Sequence, residues 1–464
     1  MYRKKAHIHF VGIGGIGMSG IATILAYQGY EISGCDTDLQ QKTIVDLKAL
    51  GATIVEGNNQ LLCHQNTIDI LVYSSAIKAN NPEIIAAQKR GVATIGRALM
   101  LAELMRTKYS IAIAGSHGKT TTTSLISHIL INAQLDPTVI IGGNLKNIST
   151  NARLGQGDFL VAEADESDRS LSHLHATLAI VTNIDLEHLE TYKNLEDIKQ
   201  TFKHFLNNIP FYGKAIICID DLNVQSLLPL PHIQFIKYGI ISPEADITAK
   251  DITLYPEKSI FSLWEQKSNT LVGSIELTMP GRHNILNALA AIALARELGI
   301  SFTTIARSLN TFKGIERRFS YKGTTFAGAE IFDDYGHHPK EIECTLLTAR
   351  KRSKKNLTVV FQPHRYTRTH KLWDMFIQTF LNSNIDSLII TDIYPASEAP
   401  ITNITSKKFA QALLQHNPPF TVTYVPYEYD FCSIKKELIK NVQKDDLILL
   451  LGAGKINQLA QYLV

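Results

Sequence analysis

The sequence has few cysteines and no long apolar segment. It contains 5 cysteines among 464 residues, and none of them forms a Cys-x-x-Cys pair. A disulfide framework and a structural zinc site are therefore not indicated, and the reducing environment of the cytoplasm is the predicted compartment. No apolar run reaches the roughly 18 residues that a transmembrane helix needs. The N-terminus shows no apolar segment with a small-residue cleavage site, so no signal peptide is expected.

The chain also lacks an excess of charge of either sign. Lys and Arg number 46, Asp and Glu number 43, and the formal net charge is +3. This balance argues against a nucleic-acid scaffold and against a polybasic membrane binder. Repeats and low-complexity tracts are absent, and 45% of the residues are hydrophobic. These features are typical of an ordinary globular protein, for which a length of about 150 residues per domain predicts three domains.

Short apolar runs alternate with helical stretches along the whole chain. Most runs have four or five residues and are followed by Gly, Asn, Asp, Ser or Pro, as buried parallel strands are. The predicted strands are His7–Val11, Ile70–Tyr73, Ser110–Ala114, Phe159–Ala162, Ala179–Thr182, Ala215–Ile219, Thr358–Phe361, Ser387–Thr391 and Leu447–Leu451. The predicted class is α/β. Charged breaks place the domain boundaries near Thr107 and Phe312, which gives domains 1–107, 108–312 and 313–464.

A first glycine-rich loop follows the predicted strand His7–Val11. Gly12, Gly14 and Gly17 form the pattern G-x-G-x-x-G, and a helix is predicted directly after it. These glycines permit a tight turn and let backbone N–H groups approach a pyrophosphate at the helix N-terminus. A second predicted strand leads to Asp36, a position where an acidic residue commonly binds a ribose hydroxyl. The loop predicts NAD or another nucleotide diphosphate, and it does not choose between them.

A second glycine-rich loop follows the predicted strand Ser110–Ala114. Its sequence is GSHGKT, and it departs from the longer G-x-x-x-x-G-K-T form because Ile113 occupies the first glycine position. Backbone N–H groups of such a loop surround a β-phosphate. Lys119 would add a charge at the β- and γ-phosphates, and Thr120 could hold Mg²⁺. The loop predicts ATP as a cofactor, and since a dehydrogenase needs no ATP, it weakens the NAD alternative.

Acidic side chains follow the next two predicted strands of the middle region. Glu163 and Asp165 come after one strand, and Asp185 and Glu187 come after the other, next to His188. In a parallel sheet both segments lie at the carboxyl edge, beside the phosphate loop, where carboxylates suit Mg²⁺.

Amide side chains also begin an apolar helix later in this region. Asn284 and Asn287 lie on one face of its first turn. They could read an adenine edge or merely cap the helix.

Two loops of the third predicted domain carry further polar side chains. Asp334, Tyr335 and His337 follow one apolar strand, whereas Arg365 and Arg368 follow another. Arginines three positions apart suit bidentate recognition of a carboxylate. Adjacent histidines at 337 and 338 lack a third ligand at metal spacing, so zinc is not favoured.

Taken together, these motifs resemble the Mur ligases over essentially the whole chain. They occur in the order of that family at Gly12–Gly17, Gly115–Thr123, Glu163–Asp168, Thr182–His188, Gly281–Asn287, Asp334–Glu341 and Pro363–Thr369. The strings HGKTTTT, DYGHHP and QPHRYTR are most similar to the branch that adds L-alanine to UDP-N-acetylmuramate in peptidoglycan synthesis. The resemblance implies a Rossmann-like first domain, a central P-loop ATPase-like domain and a Rossmann-like third domain. It also implies a monomer or a homodimer.

The resemblance implies an ATP-dependent, amide-forming reaction with Mg²⁺. The muramoyl carboxylate would take the γ-phosphoryl group of ATP, the L-alanine amine would attack the acyl phosphate, and phosphate would leave. By resemblance, ATP is held by Gly115, Ser116, His117, Gly118, Lys119, Thr120, Thr121, Asn284, Asn287, Arg318 and Asp334. Mg²⁺ is held by Thr120, Glu163 and His188. The substrates are held by Gly12, Gly14, Gly15, Gly17, Asp36, Ser74, Tyr335, His337, Arg365 and Arg368. Catalytic roles are expected for Lys119, His188 and His337.

The sequence departs from the family pattern in one stretch. Where the family commonly has Asp-His-Met-Asp, this chain has Glu187, His188, Leu189 and Glu190. Relatives also use a carbamoylated lysine, for which Lys203 is only a weak candidate.

Several other functions stay open at this point. The nearest is a recycling ligase that adds a tripeptide to the same UDP-sugar, and folylpolyglutamate synthetase is more distant. An NAD(P)-dependent oxidoreductase and a regulatory ATP-binding module belong to different functional classes.

Overall fold

The computed structural model describes residues 5–57, 68–145, 150–167, 169–188, 191–396 and 398–464. Glu190 lies outside these residues. The chain forms two compact units by its internal contacts. The first comprises Met1–Ile252, Phe261–Glu276 and Asn284–Phe312, and the second comprises Thr253–Ile260, Leu277–His283 and Lys313–Val464. Three sheets with flanking helices build the structure, so the predicted α/β class is confirmed.

The first sheet lies in the N-terminal part of the first unit. Its strands are β1 (His7–Val11), β2 (Glu31–Asp36), β3 (Thr53–Glu56), β4 (Ile70–Tyr73) and β5 (Ala93–Gly96). The helices between and after them are α1 (Ile16–Tyr27), α2 (Lys42–Ala49), α3 (Pro82–Lys89) and α4 (Arg97–Met105). The strands are parallel in the order β3-β2-β1-β4-β5. The order reverses beside β1, which is where ligands bind in sheets of this kind.

The second sheet continues the chain. Its strands are β6 (Tyr109–Ala114), β7 (Thr138–Leu145), β8 (Thr150–Arg153), β9 (Phe159–Glu163), β10 (Leu178–Val181), β11 (Lys214–Cys218), β12 (Gln234–Gly239), β13 (Ile247–Leu254), β14 (Ser259–Glu265) and β15 (Thr270–Leu277). The helices are α5 (Lys119–Asn132), α6 (Leu195–Asn207), α7 (Leu222–Gln225), α8 (Arg282–Glu297) and α9 (Phe302–Asn310). The strand order is β15-β14-β13-β12-β11-β10-β6-β9-β7-β8. Strand β6 pairs in parallel with β9 and β10, so the loops after all three meet at one edge.

The third sheet lies in the second unit. Its strands are β16 (Ser320–Thr324), β17 (Glu330–Asp334), β18 (Leu357–Phe361), β19 (Ser387–Ile390), β20 (Thr421–Tyr424) and β21 (Leu447–Leu451). The helices are α10 (Pro339–Arg352), α11 (Tyr366–Lys371), α12 (Trp373–Leu381), α13 (Ser406–Gln415) and α14 (Cys432–Asn441). The order is β16-β17-β21-β18-β19-β20, and β16 is antiparallel to β17. The loops after β17 and β18 therefore lie on either side of β21 at the same edge.

The central strands are buried on both faces, including the face of β1 that carries His7 and His9. Every residue of β1, β18 and β21 is buried, as expected for parallel strands covered by helices on both faces. Each apolar run that predicted a strand overlaps one in the structure. Among the described residues, no helix is long and apolar enough to cross a lipid bilayer.

Within the first unit, helix α1 joins the first sheet to the second. Gly20 of this helix faces β7 and β8, and a methyl group built on it would make ordinary contact with Ile140, 3.4 Å away. Asn151 Nδ2 donates to the Ile16 carbonyl over 2.7 Å and to Ser19 Oγ over 3.0 Å. The start of α1 is thus tied directly to β8.

Candidate active site

The second glycine loop connects β6 to α5 and adopts a conformation that only glycine accommodates readily. Gly115 has φ +137° and Gly118 has φ +82°. A methyl group on Gly118 would lie 2.4 Å from Asn287 Oδ1, and one on Gly115 would lie 2.0 Å from Thr182 Oγ1. The loop is therefore closed in by its neighbours, and its two glycines leave room for that close approach.

The segment after β10 fixes the loop through hydrogen bonds. His117 N donates to Asn183 Oδ1 over 2.8 Å, and Asn183 Nδ2 donates back to the His117 carbonyl over 3.0 Å. Thr182 Oγ1 also donates to the His117 carbonyl, over 2.6 Å. Asp185 N donates to Ser116 Oγ over 2.8 Å. Thr182 and Asn183 are not among the predicted site residues, although their position after a predicted strand is a signal that could identify them.

Lys119, the first residue of α5, forms an ion pair with Glu166. Its Nζ lies 3.0 and 2.9 Å from the two Glu166 carboxylate oxygens and also donates to the Gly115 and Ser116 carbonyls. Burial lowers the pKa of Lys119, but the charges of Glu166 and Asp165 outweigh it and raise that pKa above its ordinary value. The ammonium group is therefore charged and is held at the mouth of the glycine loop.

Acidic groups and one histidine gather beside this ammonium group. Ligand atoms of Asp165, Glu166 and His188 lie within 4.8 Å of one another, and His188 Nε2 is 3.4 Å from Glu166 Oε1. Burial raises the pKa of Asp165, but Lys119 and Arg97 lower it further than burial raises it. Two carboxylates and an imidazole next to a phosphate loop fit Mg²⁺, which takes few protein ligands and completes its shell with phosphate oxygens and water.

The predicted metal ligands Thr120, Glu163 and His188 all lie in loops or termini at this edge. Glu163 ends β9, and its carboxylate packs against Gly142, where a methyl group would meet Glu163 Oε2 at 2.6 Å. Thr120 is buried in the first turn of α5. Asp165 and Glu166 belong to the acidic stretch predicted beside the phosphate site, but neither is among the predicted ligands. Lys203 is exposed on α6.

Asn284 and Asn287 lie in the first turns of α8 and are both buried. Thr122 Oγ1 of α5 donates to Asn287 Oδ1 over 3.3 Å, and Asn287 Nδ2 donates to Asn284 Oδ1 over 3.4 Å. Asn287 thus packs against α5, a contact that its position in the sequence does not predict.

The first glycine loop connects β1 to α1. Gly14 N donates to Asp36 Oδ2 over 2.8 Å, and Thr43 Oγ1 donates to the Gly14 carbonyl over 2.9 Å. Ser74 follows β4, and its Cβ would lie 3.2 Å from a methyl group built on Gly12. Asp36, which was expected to reach a ribose hydroxyl, therefore holds the turn of the loop.

In the second unit, Asp334 at the end of β17 organises the turn before β16. Its oxygens accept hydrogen bonds from Phe319 N over 2.7 Å, from Gly336 N over 2.8 Å and from Thr345 Oγ1 over 3.1 Å. Burial raises the pKa of Asp334, and Arg318 opposes this rise. The Arg318 guanidinium lies 5.4 Å from the centre of the Tyr335 ring. The structure thus places the predicted site residues Arg318, Asp334 and Tyr335 next to one another.

A second cluster of the same unit contains His337, His364 and Arg368. The two imidazole rings are 5.7 Å apart, and Arg368 Nη1 lies 3.0 Å from His364 Nδ1. His364 also stacks on Tyr394 at 5.6 Å. Burial, with help from Arg368, lowers the pKa of His364 to about 3, and burial also lowers the pKa of His337. Both imidazoles are therefore neutral at pH 7 and available as hydrogen-bond acceptors.

Arg365 precedes α11 with φ +69°, an uncommon backbone conformation for a residue with a side chain. Its Nη1 lies 3.7 Å from Glu398 Oε1, and the same carboxylate accepts hydrogen bonds from Thr367 N and Thr367 Oγ1. Strained backbone of this kind is concentrated at functional sites. Glu398 and Tyr394 lie outside the motifs considered in the sequence, so only the structure connects them to this cluster.

Three Mur ligase family models match this chain. The model described as "Mur ligase family, catalytic domain" matches residues 7–109, and "Mur ligase middle domain" matches 113–295. The model "Mur ligase, glutamate ligase domain" matches 317–454. The chain belongs to the Mur ligase family.

Relatives within the Mur ligases cover the full length. The chain is 47% identical over 467 residues to the UDP-N-acetylmuramate--L-alanine ligase of Geotalea uraniireducens, covering 100% of this chain and 98% of the relative. It is 46% identical to the enzyme of the same name from Geobacter sulfurreducens, covering 99% and 97%.

Solved structures of Mur ligases have the same fold. The UDP-N-acetylmuramate-alanine ligase of Thermotoga maritima superimposes with a TM-score of 0.81 at 26% identity, covering 98% of each chain. A murein peptide ligase of Psychrobacter arcticus gives a TM-score of 0.72 at 24% identity, covering 99% and 98%, and so shows the fold alone.

Proposed function

We propose that this chain joins L-alanine to the carboxylate of UDP-N-acetylmuramate, converting ATP to ADP and phosphate, in peptidoglycan synthesis. The observation that carries the proposal is Lys119, a charged ammonium group at the mouth of a glycine loop in a Mur ligase. Relatives that match over the full length at 46–47% identity are named UDP-N-acetylmuramate--L-alanine ligase. The nearest alternative is a recycling ligase that adds a tripeptide to the same UDP-sugar. It has weaker support because the relatives described above are named as L-alanine ligases.

ATP binding is assigned to the loop of residues 115–121. Its backbone N–H groups and the N-terminus of α5 would surround the β-phosphate. Lys119 would bind the β- and γ-phosphates, where charge develops in the transition state. Phosphate oxygens would compete with Glu166 for this ammonium group, so binding ATP would replace one anionic partner with another. Asn284 and Asn287 are proposed at the adenine end, and Arg318 and Asp334 are proposed as further ATP contacts.

Mg²⁺ is proposed at the edge formed by the loops after β9 and β10. Thr120, Glu163 and His188 are its proposed ligands, and Asp165 and Glu166 supply additional carboxylates beside them. When bound, the ion would neutralise phosphate charge and permit a carboxylate to approach ATP. Without such neutralisation the two anionic reactants repel each other.

The substrates are assigned to the remaining loops. The first glycine loop, with Gly12, Gly14, Gly15 and Gly17, would hold the UDP diphosphate, while Asp36 fixes the turn and Ser74 lies beside it. L-Alanine or the acyl group is assigned to Tyr335, His337, Arg365 and Arg368. Neutral His337 is proposed to accept a hydrogen bond from the attacking amine, since its lowered pKa makes it a weak base. ATP and nucleotide sugars are cytoplasmic metabolites, so the cytoplasm is the proposed site of the reaction.

The deciding experiment measures phosphate release with ATP, Mg²⁺ and UDP-N-acetylmuramate in the presence of single amino acids or a tripeptide. L-Alanine is expected to give the highest kcat/KM. A clear preference for the tripeptide would replace the proposal with the recycling activity. A substrate-dependent change in nicotinamide absorbance, without phosphate release, would indicate an oxidoreductase.

A further inference from the structure

Arg97, the first residue of α4, lies against the start of α1. A methyl group built on Gly17 would be 3.2 Å from Arg97 Nη1 and 3.3 Å from its Cδ. The Arg97 side chain is only 15% exposed. A largely enclosed guanidinium group therefore lies beside the helix that begins at the first glycine loop, where an anionic ligand is expected.

The same side chain also reaches the acidic group around the phosphate loop. Arg97 Nη2 is 3.6 Å from Asp165 Oδ2, and the next residue, Glu166, pairs with Lys119. Arg97 thus lies between two loops that belong to different sheets of the first unit. Asn151 of β8, in the second sheet, also donates hydrogen bonds to the start of α1, which follows the first strand of the first sheet. These bonds lie next to Gly17 and connect the two sheets there.

The proposed reaction suggests a role for Arg97 at this position. A nucleotide sugar anchored by its diphosphate at the first loop must extend its carboxylate to the γ-phosphate of ATP at the second. Arg97 lies between those loops and is held by Asp165. A guanidinium group can exchange one carboxylate partner for another anion while keeping two parallel N–H donors.

We propose that Arg97 binds an anionic group of the nucleotide-sugar substrate and positions it between the two glycine loops. This inference rests on the proposed function. The anion is either the diphosphate or the sugar's carboxylate, which share the chemistry that a guanidinium recognises. Arg97 acts as a binding and positioning residue, and ATP is not its ligand.

Calorimetry on the full chain tests the proposal without turnover. The titrants are UDP, UDP-N-acetylglucosamine, which lacks the lactyl carboxylate, UDP-N-acetylmuramate, and ATP with Mg²⁺. We expect Arg97→Lys and Arg97→Ala to weaken UDP-N-acetylmuramate binding about tenfold or more, because an ammonium group cannot reproduce the planar fork. The Kd of ATP should stay within about twofold, which corresponds to under 0.5 kcal/mol. Weaker UDP binding assigns the diphosphate as the ligand, whereas a loss confined to UDP-N-acetylmuramate assigns the carboxylate.

Arg106 offers a matched control at the other end of α4. It pairs with Glu103 at 3.0 Å, and its side chain is 62% exposed, so Arg106→Lys and Arg106→Ala should leave every affinity unchanged. Thermal unfolding of each ligand-free variant confirms that it is folded. If Arg97→Lys is folded and binds UDP-N-acetylmuramate like the parent protein, Arg97 only joins two parts of the fold and the proposal is overturned. If the parent protein itself fails to bind UDP-N-acetylmuramate, the proposed function fails instead.

Discussion

Lys119 and Glu166 form a two-point ion pair, with Lys119 Nζ 2.9 and 3.0 Å from the two carboxylate oxygens. Glu166 is 1% exposed, so its carboxylate is shielded from water and has Lys119 as its ion-pair partner and His188 nearby. A buried carboxylate that loses its cation is strongly destabilising, typically by about 3–5 kcal/mol. Lys119 therefore contributes to the stability of the ligand-free fold as well as to the proposed chemistry.

Lys119→Ala should abolish ligation and also lower the free energy of unfolding, by about 3 kcal/mol. The loss of stability is expected because buried Glu166 would lose the cation it pairs with. Phosphate release and thermal unfolding are measured on the same preparation. The double variant Lys119→Met, Glu166→Gln should recover most of the stability and none of the turnover, since no charge is left unpaired. Turnover close to that of the parent would remove Lys119 from the proposed mechanism.

Gly118→Ala should weaken ATP binding by about tenfold or more. The new methyl group would lie 2.4 Å from Asn287 Oδ1 at φ +82°, so the loop or α8 must shift. Gly299→Ala is the matched control, because Gly299 has φ +74° but no atom within 4 Å of the added methyl group. The control should show only the backbone cost of about 1 kcal/mol in stability. Equal ATP affinity in both variants would argue against the close packing of this loop.

Arg365→Lys and Arg368→Lys should each raise the KM for L-alanine by about tenfold or more while leaving the Kd of ATP unchanged. The reason is the loss of planar bidentate contacts to a carboxylate. Arg350→Lys is the control in the same unit, because Arg350 pairs with Asp386 on the surface of α10. If alanine kinetics are unchanged in both variants, the amino acid is bound by other residues, with Tyr335 and His337 the next to test.

Asp333→Asn should stabilise the protein above pH 6. Asp333 is fully buried, and burial raises its pKa from 3.8 to about 6, against the opposing charges of Arg317 and Lys322. Because the folded state holds its proton more tightly than the unfolded state, this group favours folding at low pH. That contribution is fully present below about pH 4 and is lost as the pH rises through about 6, at a cost of order 3 kcal/mol. Thermal unfolding of the parent protein and of Asp333→Asn from pH 4 to 8 measures this contribution. If the stability of the two proteins changes with pH in parallel, the raised pKa of Asp333 is contradicted.

Most of the architecture could be predicted from the amino-acid sequence. Apolar runs such as Leu447–Leu451 and the two glycine loops are local signals, because burial on both faces and positive φ angles each require particular residue types. The domain boundaries near Thr107 and Phe312 and the roles of the predicted site residues stay predictions.

The pairing of polar groups in space could be established only from the tertiary structure. Five charged or polar residues occupy the stretch Glu163–Asp168, and their spacing gave no reason to select Glu166 as the partner of Lys119. Asp36 turned toward the backbone of Gly14, and Glu398 reached Arg365 from a distant segment of the chain. Such pairings depend on the path of the backbone over a few ångströms and on groups brought from other strands, which the order of residues along one segment does not encode.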